Sequence, residues 1–170
     1  MMLAAPTRPV AMAFASVLSL LVASGPICAA SRLDGTAAFA RGNYVEAANR
    51  ARPLAELGDA SSQALLGFMY EYGRGVAQDY GAAVYWYTCA ADQGHPTAQY
   101  LLGLMYDKGH GVVRSDLLAY KWLNLAAAHA RPGVRDYYLR IRDAVAAKLT
   151  ASQIAEAQWF ATNFVPQGQR

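Results

Sequence analysis

The feature that most constrains this chain is a self-repeat of 36 residues. Shifted by that interval, Gln63–Gly94 lies over Gln99–Ala130 without a gap, and 13 of the 32 paired positions are identical. QALLGFMYEYGRGV aligns with QYLLGLMYDKGHGV, and further on Ala83, Trp86, Ala90 and Ala91 align with Ala119, Trp122, Ala126 and Ala127. A unit this short cannot bury its own apolar face, so a fixed period means supersecondary units stacked on one another.

Within each unit, apolar and small residues recur at helical spacing. Ala60, Gln63, Leu66 with Gly67, and Tyr70 share one face of a first helix, and Gly67 admits a close neighbour. Gly73 stops that helix, Gly75-Val76 forms a short loop with an apolar plug, and Asp79 is placed to cap a second helix, Tyr80–Asp92. Ala83, Trp86 and Ala90 form the inner stripe of that helix, and Gly94-His95-Pro96 opens the next unit. There Ser115 or Asp116 is the cap.

At these residues the chain resembles the Sel-one-like repeat family, a relative of the tetratricopeptide repeat. The family pattern is matched by Leu66, Gly67, Tyr70, Gly73, Gly75, Val76, Asp79, Tyr80, Ala83, Trp86, Ala90, Ala91 and Gly94. The second copy matches at Leu102, Gly103, Tyr106, Gly109, Gly111, Val112, Ala119, Trp122, Ala126 and Ala127. It departs at Ser115, where the acid has moved to Asp116, and at Ala130, where the closing glycine is lost. The resemblance implies an all-α, right-handed solenoid of stacked antiparallel helix pairs that acts as an adaptor between proteins, in bacteria often in the envelope. A cysteine-rich branch of the family is credited with hydrolysing β-lactams, through a fold that pairs a cysteine across each helix pair. This chain has none of those pairs.

The flanks extend the plan to about eight helices over residues 31–164. Residues 31–59 read as a degenerate tetratricopeptide-like unit, with helices at 37–41 and 46–57 and Pro53 inside the second. The two repeats are 60–95 and 96–131. Pro132-Gly133 then breaks the pattern before two closing helices within 132–164, the last opened by a capping box from Thr150 to Gln153. Arg135, Arg140, Arg142 and Lys148 with Asp136 and Asp143 supply the polar face a terminal unit requires. Residues 165–170 read as a flexible tail.

Residues 1–30 read as a signal peptide. Arg8 precedes an apolar run of 14 residues, Val10–Ala23, followed by Ser24-Gly25-Pro26 and the small pair Ala29-Ala30, after which cleavage is expected. The run is too short to span a bilayer, so the mature chain is expected in the periplasm or outside the cell without stable membrane insertion. An uncleaved anchor is the rival reading.

The formal charge of +3 is too small and too evenly spread to indicate nucleic acid. Cys89, alone after cleavage, can form no internal disulfide and is expected inside as a small hydrophobe. A nucleophile pairing Cys89 with His95 or His129 is the sharper alternative. No ligand spacing for a metal is present, and no cofactor is expected. Glu71 and Asp107 occupy the same repeat position and are expected to be exposed, and His110 to be a solvated loop residue. The GRGV and GHGV loops lack the strand and lysine of a phosphate loop.

Function is therefore expected on the surface, in the concave groove of the stack. The candidate residues lie on the first helix of each unit, opposite the small residues: Ser61, Leu65, Phe68 and Tyr72, repeated as Thr97, Leu101, Leu104 and Lys108. Phe68 and Tyr72 are the expected anchors for a protein or peptide partner. An aromatic groove would also suit a carbohydrate-binding envelope protein.

Overall fold

In a computed structural model, residues 35–167 are described; residues 1–30, read above as a signal peptide, residues 31–34 and the last three residues lie outside them. Among the described residues there are eight helices and no strand. In chain order they are α1 (35–40), α2 (Tyr44–Glu56), α3 (Ala60–Tyr72), α4 (Tyr80–Asp92), α5 (Pro96–Lys108), α6 (Asp116–His129), α7 (Pro132–Ala146) and α8 (Ala151–Thr162). This is an all-α solenoid, as the repeat requires. α2 runs through Pro53 to Glu56 without a break.

The caps explain where the helices start. Asp59 accepts the Ser62 amide at 2.9 Å, Asp79 the Ala82 amide at 2.9 Å, and Thr150 and Gln153 close the reciprocal capping box. Of the two candidates before α6, Ser115 is the cap, accepting the Leu118 amide at 3.3 Å, while Asp116 becomes the first helical residue. At α5 the cap is His95, whose Nδ1 accepts the Ala98 amide at 3.2 Å. Its position corresponds to Asp59 in the preceding unit.

The core is built from small residues against a few large ones. Ala83, Ala90, Ala91, Ala98, Leu102 and Met105 are sealed from solvent around Tyr87. Gly67 lies directly against the Tyr87 ring, and Gly103 against Leu123, the residue 36 positions after Tyr87. The expected close approaches therefore exist in both repeats, and the residue that fills each is Tyr87 or Leu123. Trp86, expected on the inner stripe, is only half-buried, whereas its counterpart Trp122 is 7% exposed.

Two further contacts recur with the repeat and join one unit to the next. Gln63 and Gln99 are both buried, and each donates from Nε2 to a carbonyl near the end of the preceding second helix, Ala55 at 3.0 Å and Ala91 at 3.1 Å. Each side-chain oxygen is met in turn by the residue 30 positions later: Gln93 Nε2 donates to Gln63 at 2.7 Å, and His129 Nδ1 lies 3.2 Å from Gln99. A buried amide without these partners would cost more than it contributes. The second link is the loop after each first helix. A Cβ on Gly75 would fall 2.3 Å from the Tyr44 carbonyl, and one on Gly111 would fall 2.4 Å from the Tyr80 carbonyl oxygen. Both glycines have positive φ, 73° and 71°, so only glycine satisfies both the turn and the approach. Tyr44 and Tyr80 are themselves 36 residues apart, so the segment before α3 is a unit in register with the two clear repeats.

The end of the described chain makes two contacts. Phe164 packs edge-on against Trp122 with centroids 6.1 Å apart, and the Gln167 amide donates to the Asp92 carbonyl at 2.8 Å. Residues 165–167 therefore return over α4 and α6, because Phe164 finds an apolar seat and Gln167 a free helix-end carbonyl.

Candidate functional site

All eight expected groove residues keep some surface, but to different degrees. Ser61, Tyr72, Thr97 and Lys108 are exposed, and Leu65, Phe68, Leu101 and Leu104 are half-buried. The distinction has a packing cause. Phe68 and Leu101 lean on the core around Tyr87, and Leu65 packs with Ala38, Ala47 and Met69 between α1, α2 and α3. Tyr72 is 52% exposed and free to contact a partner. Phe68 and Tyr72 are thus not equivalent: Phe68 supports the fold as well as facing outward.

The structure joins these residues to aromatic side chains that the repeat pattern does not single out. Phe39 of α1 meets Phe68 edge-on at 5.7 Å, and Phe68 meets Tyr72 at 4.5 Å. On α5, Tyr100 stacks on Tyr138 of α7 at 4.4 Å and 8° and donates to the Tyr137 hydroxyl at 3.1 Å. Burial, then that hydrogen bond, raises the Tyr100 phenol above its usual pKa, and Tyr72 is close enough to add to the shift. The first helices of successive units, α1, α3, α5 and α7, thus carry two ring clusters, Phe39–Phe68–Tyr72 and Tyr100–Tyr137–Tyr138, that together make an aromatic strip. Its α7 end was legible in principle: one more step of 36 places Pro132 over Pro96, Tyr137 over Leu101 and Tyr138 over Leu102.

Cations border the strip. Arg74, between the two loop glycines, has its guanidinium 5.3 Å from the Tyr44 ring centre and 5.5 Å from that of Phe68. His110, the equivalent loop residue, stacks on Tyr80 at 4.7 Å, so it is not merely solvated: each loop lays a flat side chain on the aromatic that starts the previous second helix. Arg140 sits 5.9 Å from the Tyr137 ring centre.

The groups with chemical potential are otherwise engaged. Glu71, expected at the surface, is 8% exposed and accepts from the Tyr87 hydroxyl at 2.7 Å. That burial and the carboxylate raise the Tyr87 phenol far above its usual range, so it stays a donor. Asp107, where the facing residue is Leu123 and not a tyrosine, pairs with Lys148 instead. Cys89, expected inside, is half-buried and lines an open depression of about 570 Å³ with Gly58, Tyr85, Thr88 and Gln167. No imidazole lines it: His95 is occupied as a cap and His129 with Gln99. Among the described residues no cluster of His, Cys, Asp or Glu could hold a metal, and no helix is long and apolar enough to cross a membrane.

Stacked helix pairs in a repeating register define a class, the α-solenoid repeat proteins. More particularly, the Sel1 repeat model matches residues 60–95 and 96–130, and these residues are two tandem Sel1 repeats. A similar solved structure is c5321, described as a protective antigen present in uropathogenic Escherichia coli strains displaying an SLR fold. It shares 28% identity over 81% of this chain and 29% of that one, with a TM-score of 0.73. Another is a Sel1 repeat protein from Oxalobacter formigenes, 35% identical over 52% of this chain and 26% of that one, with a TM-score of 0.51. The chain spans less than a third of the length of either. Comparison with curated proteins gives no match. Sel1 repeats generally mediate protein interactions and are typically non-enzymatic scaffolds.

Proposed function

We propose that this protein is a non-enzymatic interaction scaffold of the bacterial envelope, and that its partner docks along the layer formed by α1, α3, α5 and α7. The observation that carries this reading is the aromatic strip from Phe39 through Phe68 and Tyr72 to Tyr100 and Tyr137, which leaves large rings at the surface. Aromatic side chains give anchoring area at little entropic cost and dominate binding at interfaces. Leu101 and Leu104 extend the strip with apolar surface between the rings. The leader-like residues 1–30 support export to the periplasm or beyond.

The test is affinity capture from envelope extract with the full chain and with Tyr72→Ala and Leu104→Ala. A defined protein retained by the wild type and lost from both variants, with their thermal melts preserved, supports the reading. Retention of glycan alone, or capture that both substitutions leave intact, contradicts it. Fractionation of cells expressing the tagged full chain tests location, which is expected to be outside the cytoplasm.

A further inference from the structure

The chemistry of the strip also restricts what can occupy it. The geometry points to an acidic polypeptide segment with spaced apolar side chains as the partner, an inference that rests on the scaffold reading above. Charge is the first reason. Elsewhere four cations are joined to carboxylates, Arg50 to Glu46, Arg114 to Asp116, Arg142 to Asp143, and Lys148 to Asp107, while Arg52 and Lys121 lie over the rings of Tyr70 and Trp122. Arg74 and Arg140 contact ring faces and have no carboxylate partner among the described residues, and Lys108, exposed in the register position of Tyr72, has none either. The one acid of α3, Glu71, is turned inward against Tyr87, and the one acid of α5, Asp107, is neutralised by Lys148. Asp136, at the outer end, is the exposed acid nearest in sequence to Tyr137. Along the strip three cations without a carboxylate partner, Arg74, Lys108 and Arg140, therefore stand against one exposed acid, Asp136.

Apolar content is the second reason. Leu65 on α3 and Leu101 and Leu104 on α5 lie on the same helices, each half-buried. Such positions reward aliphatic anchors, which a polypeptide supplies and a nucleic acid or sulfated sugar does not. Unpaired cations at the edge then select acidic side chains beside those anchors and speed their encounter.

Random-peptide phage display on the immobilised full chain tests this, with Arg74→Glu/Lys108→Glu/Arg140→Glu in parallel and Lys108→Gln as a milder variant should the triple one fail its thermal melt. Sequences enriched on the wild type should intersperse Asp and Glu with Leu, Phe or Trp. The leading synthetic peptide, followed by fluorescence anisotropy, should bind about tenfold more weakly to the triple variant, measurably more weakly to Lys108→Gln, and more weakly as NaCl rises. Enrichment without acidic bias, or binding indifferent to the charge changes, would overturn this inference and leave the scaffold reading standing. Absence of enrichment above bare support would count against both. A heparin fragment binding where no peptide does would make the strip an anionic-glycan surface and overturn the inference.

Discussion

Replacing Gly67 by alanine sets two physical effects against each other. In an exposed helix, Gly→Ala stabilises by about 1 kcal/mol through propensity alone. Here the new methyl would lie 2.6 and 2.7 Å from Cδ1 and Cε1 of Tyr87. Reaching ordinary contact, about 3.5 Å, requires the ring to move by nearly 1 Å. Tyr87 has no room for this: it is 0% exposed, and its hydroxyl is held at 2.7 Å by the buried Glu71 carboxylate. Overpacking of this kind costs roughly 1–3 kcal/mol, and loosening a hydrogen bond to a buried carboxylate adds to it. After the propensity gain, a net destabilisation of about 1–3 kcal/mol is expected. Urea unfolding followed by far-UV circular dichroism reads it as a lower midpoint with unchanged slope. Gly103→Ala should also destabilise, since its methyl would lie 2.8 Å from Cγ of the buried Leu123 and 3.2 Å from the Ala119 carbonyl oxygen. A Gly67→Ala midpoint equal to or above the wild type would refute the packing account of the repeat.

Three other perturbations follow from single contacts. His95 has its pKa lowered by burial, partly opposed by Asp59, so its folded value lies below the unfolded one. The stability it contributes is then complete above the unfolded value, about 6.5, and is lost as pH falls through the folded value, because only neutral Nδ1 can accept the Ala98 amide. Thermal melts should show that slope below about pH 6.5, and His95→Asn, which caps at any pH, should remove it. Tyr87→Phe deletes the donor to Glu71 and should cost about 1.5–3 kcal/mol by the same urea assay, a loss that Tyr85→Phe on the exposed side of α4 should not reproduce. Phe68→Ala should lower both stability and partner binding, while Tyr72→Ala should lower binding alone; the reverse pattern would show that Tyr72 and not Phe68 is core.

The solenoid was legible because repetition supplies its own internal alignment. Gly67 beneath Gly103 and Trp86 above Trp122 reveal period, helix order and close approaches without any neighbour being seen. What the sequence concealed is what neighbours decide. Gln63 and Gln99 align with each other perfectly well, but only packing shows them reaching back to Ala55 and Ala91. Glu71 and Asp107 look alike in the alignment and behave oppositely, because Tyr87 faces one and Leu123 stands where a second tyrosine would. Cys89 aligns with the buried Leu125 yet is itself half-exposed. Half of the candidate surface was visible as a helical stripe. The other half is Phe39 and Tyr137, on first helices of units whose sequence signatures have decayed, and Tyr100, which stands in the second repeat where the first has Ala64; these rings join the strip only through contacts with other rings.

The central claim is that the first-helix layer, and not the outer layer formed by the second helices α2, α4, α6 and α8, is the docking face, and site-specific photo-crosslinking tests it most directly. A benzoyl-phenylalanine placed at position 72, on α3, and another at position 85, on α4, occupy exposed tyrosine sites on the two layers, 52% and 60% accessible. Irradiation in cells expressing the full chain should give a discrete protein adduct from position 72 and none from position 85. An adduct from position 85 with none from position 72 would place the partner on the outer layer, over the depression that holds Cys89, and would contradict the account.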